Sequence, residues 1–179
     1  MTGDLASTEG VLQDGVLQHA LVQDGVVTGS VWTSGEFRFP LDIRFFEVDS
    51  LGVVFNMWYL GWCDEAMSAF MESIGYGYQT LRGQGFDAVL RKAELEWLDS
   101  LQAFQHAEVA VRVQHVGTTS FRLGYSIERV EASGQLRTRC AQAAITYVCV
   151  QIAGRSAAPI PEGMRQALVR DHADHADSV

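Results

Sequence analysis

The apolar periodicity of residues 56–74 constrains this chain more than any other feature. Leu60, Cys63, Met67, Phe70 and Ile74 recur at three-four spacing, and Tyr59, Trp62, Ala66 and Ala69 widen the stripe to well over a third of a helical circumference. Asp64, Glu65, Ser68 and Glu72 occupy the remaining face, and Gly75 supplies a C-cap. Such a helix spans about 28 Å at 1.5 Å per residue. A stripe that wide calls for enclosure on most sides, so the other elements must wrap it.

Residues 37–48 before the helix, and residues 86–97, 107–116, 120–131 and 135–152 after it, have strand character. Val109, Val111 and Val113 alternate with Arg112 and Gln114, while Phe121, Leu123, Tyr125 and Ile127 alternate with Arg122, Ser126 and Glu128. Each of these two strands therefore has one apolar face. The links Gly117-Thr118-Thr119 and Ala132-Ser133-Gly134 are short enough for hairpins, which makes the strands they join antiparallel neighbours. The expected fold is α+β: a curled antiparallel sheet of about five strands around one long central helix. At 179 residues and 47% hydrophobic, the chain has enough material for one core and little for two.

Residues 1–34 stand apart as an N-terminal extension in which Val-Leu-Gln-Asp-Gly returns ten residues later as Leu-Val-Gln-Asp-Gly. Its Val and Leu residues suit a strand or a short amphipathic element as well as a flexible arm. Residues 35–168 form the domain, and residues 169–179 an acidic tail.

A formal charge of −9, with only 13 Lys and Arg, opposes a nucleic-acid partner. No run of 18 apolar residues occurs, and the N-terminus lacks the basic start and apolar core of a signal peptide, which points to a cytoplasmic protein without a membrane partner. Three cysteines make an odd count, and Cys140 and Cys149, nine residues apart on one expected strand, would face opposite sides. Reduced, buried thiols follow. His172, Asp174, His175 and Asp177 mimic metal-ligand density, but no Cys or rigid element orients them, so no metal or other cofactor is expected. His115 and Ser120 do not form a hydrolase pair, since no Gly-x-Ser-x-Gly elbow surrounds the serine.

One segment carries chemistry. Asp49 stands in a turn with Gly52, just ahead of a helix start at Asn56, itself a good N-cap. Unpaired N–H groups at a helix start can polarise a carbonyl oxygen, and a carboxylate a few residues upstream can attack the carbonyl carbon or activate water. That pairing suggests acyl transfer. An Asp followed by Gly also makes an ordinary turn, and the spacing alone leaves both readings open.

The motif Asp49-x-x-Gly52-Val53-Val54-x-x-x-x-Tyr59-Leu60 resembles the signature of the 4-hydroxybenzoyl-CoA thioesterase family of hot-dog-fold acyl-CoA thioesterases. Three further matches follow in order: Leu90-Arg91 leading to Glu96-Trp97-Leu98, Val116-Gly117-Thr118-Thr119-Ser120-Phe121, and Val148-Cys149-Val150 ahead of Pro159-Ile160-Pro161-Glu162. Together they cover residues 36–168. The resemblance implies hydrolysis of an acyl-CoA thioester, with Asp49 as nucleophile or general base, Gly52 shaping its turn, and the Asn56 backbone N–H polarising the carbonyl.

It also implies substrate contacts at Val54 and Tyr59, at Arg91 and Lys92 near the coenzyme A phosphates, and at Thr119 and Ser120 near the pantetheine or nucleotide. Adjacent strand residues point oppositely, so only one of Arg91 and Lys92 is expected to face a given ligand. Many relatives have His where this chain has Asn56, which removes a possible proton carrier but keeps the backbone donor. Met57 and Trp58 are bulkier than the family's usual residues, implying an altered acyl pocket. Another hot-dog branch uses a helical Glu, which makes Glu65, beside Asp64, a second candidate. The resembling enzymes are homodimers or homotetramers whose sites draw on two subunits. The alternatives are hydrolysis of acyl groups on a carrier protein, as in the enediyne polyketide branch whose members typically lack the acid, and a non-catalytic acyl-CoA-binding module.

Overall fold

The long strand patterns become one curled antiparallel sheet in the computed structural model, which describes residues 21–23, 26–28, 31–33, 36–131 and 136–176. Three short strands, β1 (Leu21–Gln23), β2 (Val26–Thr28) and β3 (Val31–Thr33), precede β4 (Glu36–Asp42). Helices α1 (Met57–Ser73) and α2 (Tyr78–Gly83) come next. Strands β5 (Phe86–Trp97), β6 (His106–Val116), β7 (Ser120–Val130), β8 (Arg137–Gln151) and β9 (Ser156–Ala157) follow, and α3 (Glu162–Ala176) closes the described chain. The main sheet runs β3-β4-β6-β7-β8-β5, with β9 on the end of β8, and β1 and β2 form a separate pair. The extension thus contributes β3 to the sheet, beside β4. Among the described residues no helix is long and apolar enough to cross a membrane.

The core sits between the sheet and α1. Val109, Val111 and Val113 of β6, Phe121, Leu123, Tyr125 and Ile127 of β7, and Ala141, Ile145 and Tyr147 of β8 all face it. Helix α1 answers with Trp62, Cys63, Ala66, Phe70 and Met71, and the Phe70 ring meets Phe37 of β4 edge-on at 5.7 Å. Asp64, Glu65, Ser68 and Glu72 remain exposed, as their spacing predicts. The helix stops where Gly75 adopts φ +83°: Gly75 N–H donates to the Glu72 carbonyl and Tyr76 N–H to that of Met71, the paired bonds of a Schellman cap.

Three local expectations fail, each for a packing reason. The strand expected over residues 37–48 ends at Asp42, and Phe45–Glu47 turns as a 3-10 helix because the Glu47 side chain folds back onto Arg44. Cys140 and Cys149 do not face opposite sides: the β7–β8 register shifts between Ile127 and Glu128, Cys140 is the extra residue, and both thiols are buried. The first part of the expected acidic tail is helical, since α3 continues to Ala176 and buries Met164, Ala167 and Leu168 at helical spacing. The Ala132-Ser133-Gly134 link lies outside the described residues, although β7 and β8 are antiparallel neighbours.

Candidate active site

The turn that carries Asp49 is a small two-armed loop clamped across its base. Phe55 N–H donates to the Glu47 carbonyl at 2.8 Å, Val48 bridges Val54, and Asp49 N–H donates to the Val53 carbonyl at 2.8 Å. Gly52 closes the tip with φ +76°, a backbone conformation that L side chains rarely adopt, and donates to the Asp49 carbonyl at 3.0 Å. The loop docks on the sheet side through Val54 N–H to the Leu101 carbonyl at 2.8 Å and through the Val53–Gln102 bridge.

Asp49 is half-buried, and its Oδ1 accepts Leu51 N–H at 2.8 Å; among the described residues Oδ2 has no partner. On the other arm, Asn56 precedes α1. It does not cap as its residue type predicts: its own dihedrals are helical (φ −56°, ψ −25°), its side chain makes no cap bond, and Trp58 N–H turns back to the Phe55 carbonyl at 3.0 Å. The Asn56 N–H finds no acceptor among the described residues. One loop therefore presents a carboxylate oxygen and a helix-start N–H, both unpaired. In such a pair the carboxylate can activate water or attack a carbonyl while the N–H donates to the oxygen on which negative charge develops.

Glu65 stands on the exposed face of α1, with the Arg44 guanidinium 3.7 Å away. Val54 and Tyr59 lie in the core. The Tyr59 ring packs on Trp62 at 5.2 Å and Trp97 at 6.3 Å. Burial raises its phenol to about 12, against an opposing hydrogen bond to the Leu101 backbone.

Arg91, Lys92, Thr119 and Ser120 gather elsewhere. Arg91 is the extra residue of a bulge in β5, between Leu90 opposite Tyr147 and Lys92 opposite Thr146. The bulge suspends the simple alternation that would point Arg91 and Lys92 to opposite faces. Lys92 pairs with Glu94 at 2.9 Å, whereas no carboxylate among the described residues pairs with Arg91. Ser120 sits opposite Val148, and the Thr119 carbonyl accepts Cys149 N–H at 2.8 Å. The Asp49 loop, by contrast, rests on Leu101, just past the point where Leu98 and Asp99 bond to Cys140. Cys140 and Val148 are eight residues apart on β8, roughly 26 Å at about 3.3 Å per residue. One subunit therefore keeps the acid well apart from Ser120 and, by six to seven residues along β8, from Arg91 and Lys92.

Two features escaped the sequence reading. Glu47 is fully buried, and an acid in the run Phe45-Phe46-Glu47-Val48 three residues after Arg44 was the available signal. Around the turn, Phe45, Phe46, Leu51, Met57 and Phe104 form an apolar apron with exposures of 62% to 83%. Phe45 stacks on Phe104 at 6.4 Å and Phe46 meets Trp58 edge-on at 5.5 Å. Apolar patches of that kind mark a partner or ligand surface.

Residues 43–168 match the model of the thioesterase-like superfamily. A 1,4-dihydroxy-2-naphthoyl-CoA hydrolase from Synechococcus sp. (strain RCC307) is 29% identical over 134 residues, covering 70% of this chain and 95% of that protein. Among solved structures, a 1,4-dihydroxy-2-naphthoyl-CoA thioesterase from Synechocystis superposes with a TM-score of 0.66 at 21% identity, covering 75% of this chain and 96% of its own. A Staphylococcus aureus protein solved in complex with CoA gives a TM-score of 0.71 at 10% identity, covering 78% and 85%. These structural likenesses bear on the fold, which is the expected hot-dog arrangement.

Proposed function

Because this chain belongs to the thioesterase-like superfamily, we propose that it hydrolyses an acyl-CoA thioester, with Asp49 and the Asn56 backbone N–H as the reacting pair. The observation that carries this reading is the unpaired Asp49 Oδ2 and the unpaired Asn56 N–H on two arms of one clamped loop. The Asp49 carboxylate either attacks the carbonyl carbon, giving a mixed anhydride that water then cleaves, or takes a proton from a water that attacks directly. In both routes the C–S bond breaks, CoA leaves as the thiolate and gains a proton, and one water is consumed. The Asn56 N–H donates a hydrogen bond to the carbonyl oxygen and stabilises the charge that builds there. Glu65 is the less suitable acid, being engaged by Arg44.

A thiol-release assay over aromatic acyl-CoA, aliphatic acyl-CoA and acyl-carrier-protein substrates tests this directly. Turnover of acyl-CoA supports the proposal; release only from carrier protein would transfer it to that substrate, and binding without release would leave a ligand-binding module. A cytoplasmic setting suits both the free thiols of Cys63, Cys140 and Cys149 and the supply of acyl-CoA.

Arg91 is proposed to hold a coenzyme A phosphate, since it is a cation without an ion pair among the described residues in a chain of charge −9. Arg91→Ala is expected to raise KM for acyl-CoA several-fold and to leave KM for acyl-pantetheine substrates unchanged. Equal losses on both substrates would assign Arg91 to structure instead.

A homodimer is proposed to complete the site. Strand β5 is an edge of the sheet, and Val89, Leu90, Trp97 and Leu98 along it are exposed. Antiparallel pairing of β5 with its copy, offset so that Arg91 lies opposite Trp97, would bring Arg91 of one subunit toward the other subunit's Asp49 loop. Light scattering at micromolar concentration should report at least a dimer, and mixing inactive Asp49→Asn chains with chains inactivated at a cross-subunit position should restore partial activity. A fully active monomer would refute the shared site.

A further inference from the structure

Glu47 is the only carboxylate with no exposed surface among the described residues, and the chemistry above makes no use of it. Taking a carboxylate out of water is unfavourable unless its lone pairs are matched. Here they are. Oε2 accepts Arg44 N–H at 2.7 Å, while Oε1 accepts Arg44 Nε–H at 3.0 Å, a second guanidinium N–H of Arg44, and the indole N–H of Trp62 at 3.0 Å. Burial pushes the carboxyl up, but these donors outweigh it and hold Glu47 below the usual carboxylate range. With both oxygens engaged and no access to solvent, Glu47 can neither attack a substrate nor activate water.

Its placement is what matters. The Glu47 side chain reaches Trp62 of α1, its backbone carbonyl holds Phe55 N–H on the arm that leads to Asn56, and Asp49 follows two residues later. We propose that Glu47 is a positioning residue for the thioester site: with Trp62 and Arg44 it sets the height of α1, and hence of the Asn56 N–H, relative to the Asp49 carboxylate. The inference rests on the hydrolase reading above. A clamp that served folding alone would be matched by an apolar side chain of similar volume, whereas alignment of two reacting groups depends on these directional bonds.

The test uses Glu47→Gln, Trp62→Phe, the double variant and Asp49→Asn, assayed with the best acyl-CoA of the panel at a temperature where circular dichroism shows each variant fully folded. Trp62→Phe keeps a ring in place and removes only the N–H, so it carries the test should Glu47→Gln fail to fold. Each single variant should lower kcat about 10- to 100-fold with KM within about twofold, in keeping with the cost of a displacement near 1 Å. The double variant should be no worse than the poorer single one, because both break the same clamp. Wild-type kcat in the singles, a rise in KM without loss of kcat, or losses that multiply in the double variant would overturn the positioning role. Wild-type turnover by Asp49→Asn would instead remove Asp49 from the reacting pair, and no thiol release from any acyl-CoA by the unaltered protein would overturn the hydrolase reading, so the failures are distinguishable.

Discussion

Asp49→Asn is expected to lower turnover by at least about 10³-fold while leaving the fold intact. The substitution is isosteric, and an amide oxygen in place of Oδ1 can still accept the Leu51 N–H that shapes the turn. What it loses is Oδ2 as an anion: an amide nitrogen neither attacks a thioester carbonyl nor takes a proton from water. Steady-state thiol release together with circular dichroism checks both halves of the expectation, and wild-type-like turnover would remove Asp49 from the chemistry. Asp49→Glu keeps the charge but advances it by one methylene, and a shift of about 1 Å can cost about 10²-fold.

Phe70→Ala should destabilise the protein by about 3–5 kcal/mol. The ring is fully buried in the last turn of α1 and meets Phe37 of β4 edge-on at 5.7 Å, so truncation opens a void between helix and sheet that rigid strands cannot close. Against a total stability of about 5–15 kcal/mol, that loss leaves a marginal fold. Urea denaturation at one fixed protein concentration gives the measurement, since any self-association would add a concentration-dependent contribution. A loss below about 1 kcal/mol would show that α1 is not the centre of the core.

Where one periodicity dominates, the chain's residues suffice to locate its elements. Residues 86–97 form a strand as expected, β6 and β7 shift by one residue at an end, and Gly75 ends α1 because its φ of +83° favours a residue without Cβ. Residues 37–48 defeat such reasoning. Their apolar content continues past Asp42, but Glu47 finds better partners by folding back onto Arg44 and Trp62 than by extending. No local pattern records a bond to a helix fifteen residues away. The tail helix is a similar case: the Met164 and Leu168 spacing was present, and only the packing of α3 against β6 gives that face something to cover.

Helical and strand periodicities and a glycine-bearing turn are local properties of the chain, so the class of the fold, the single core and the position of the acid ahead of the helix were legible in its residues. Tertiary structure decided which of these residues meet. A bulge at Arg91 breaks the simple alternation of the basic pair, another at Cys140 brings both thiols of β8 inside, and the pairing of β5 and β7 with β8 keeps Asp49 far from Arg91, Thr119 and Ser120 within one subunit. Register shifts arise from competition between strands, and separation along a sheet depends on which strands pair. Neither is encoded in the spacing of any one segment.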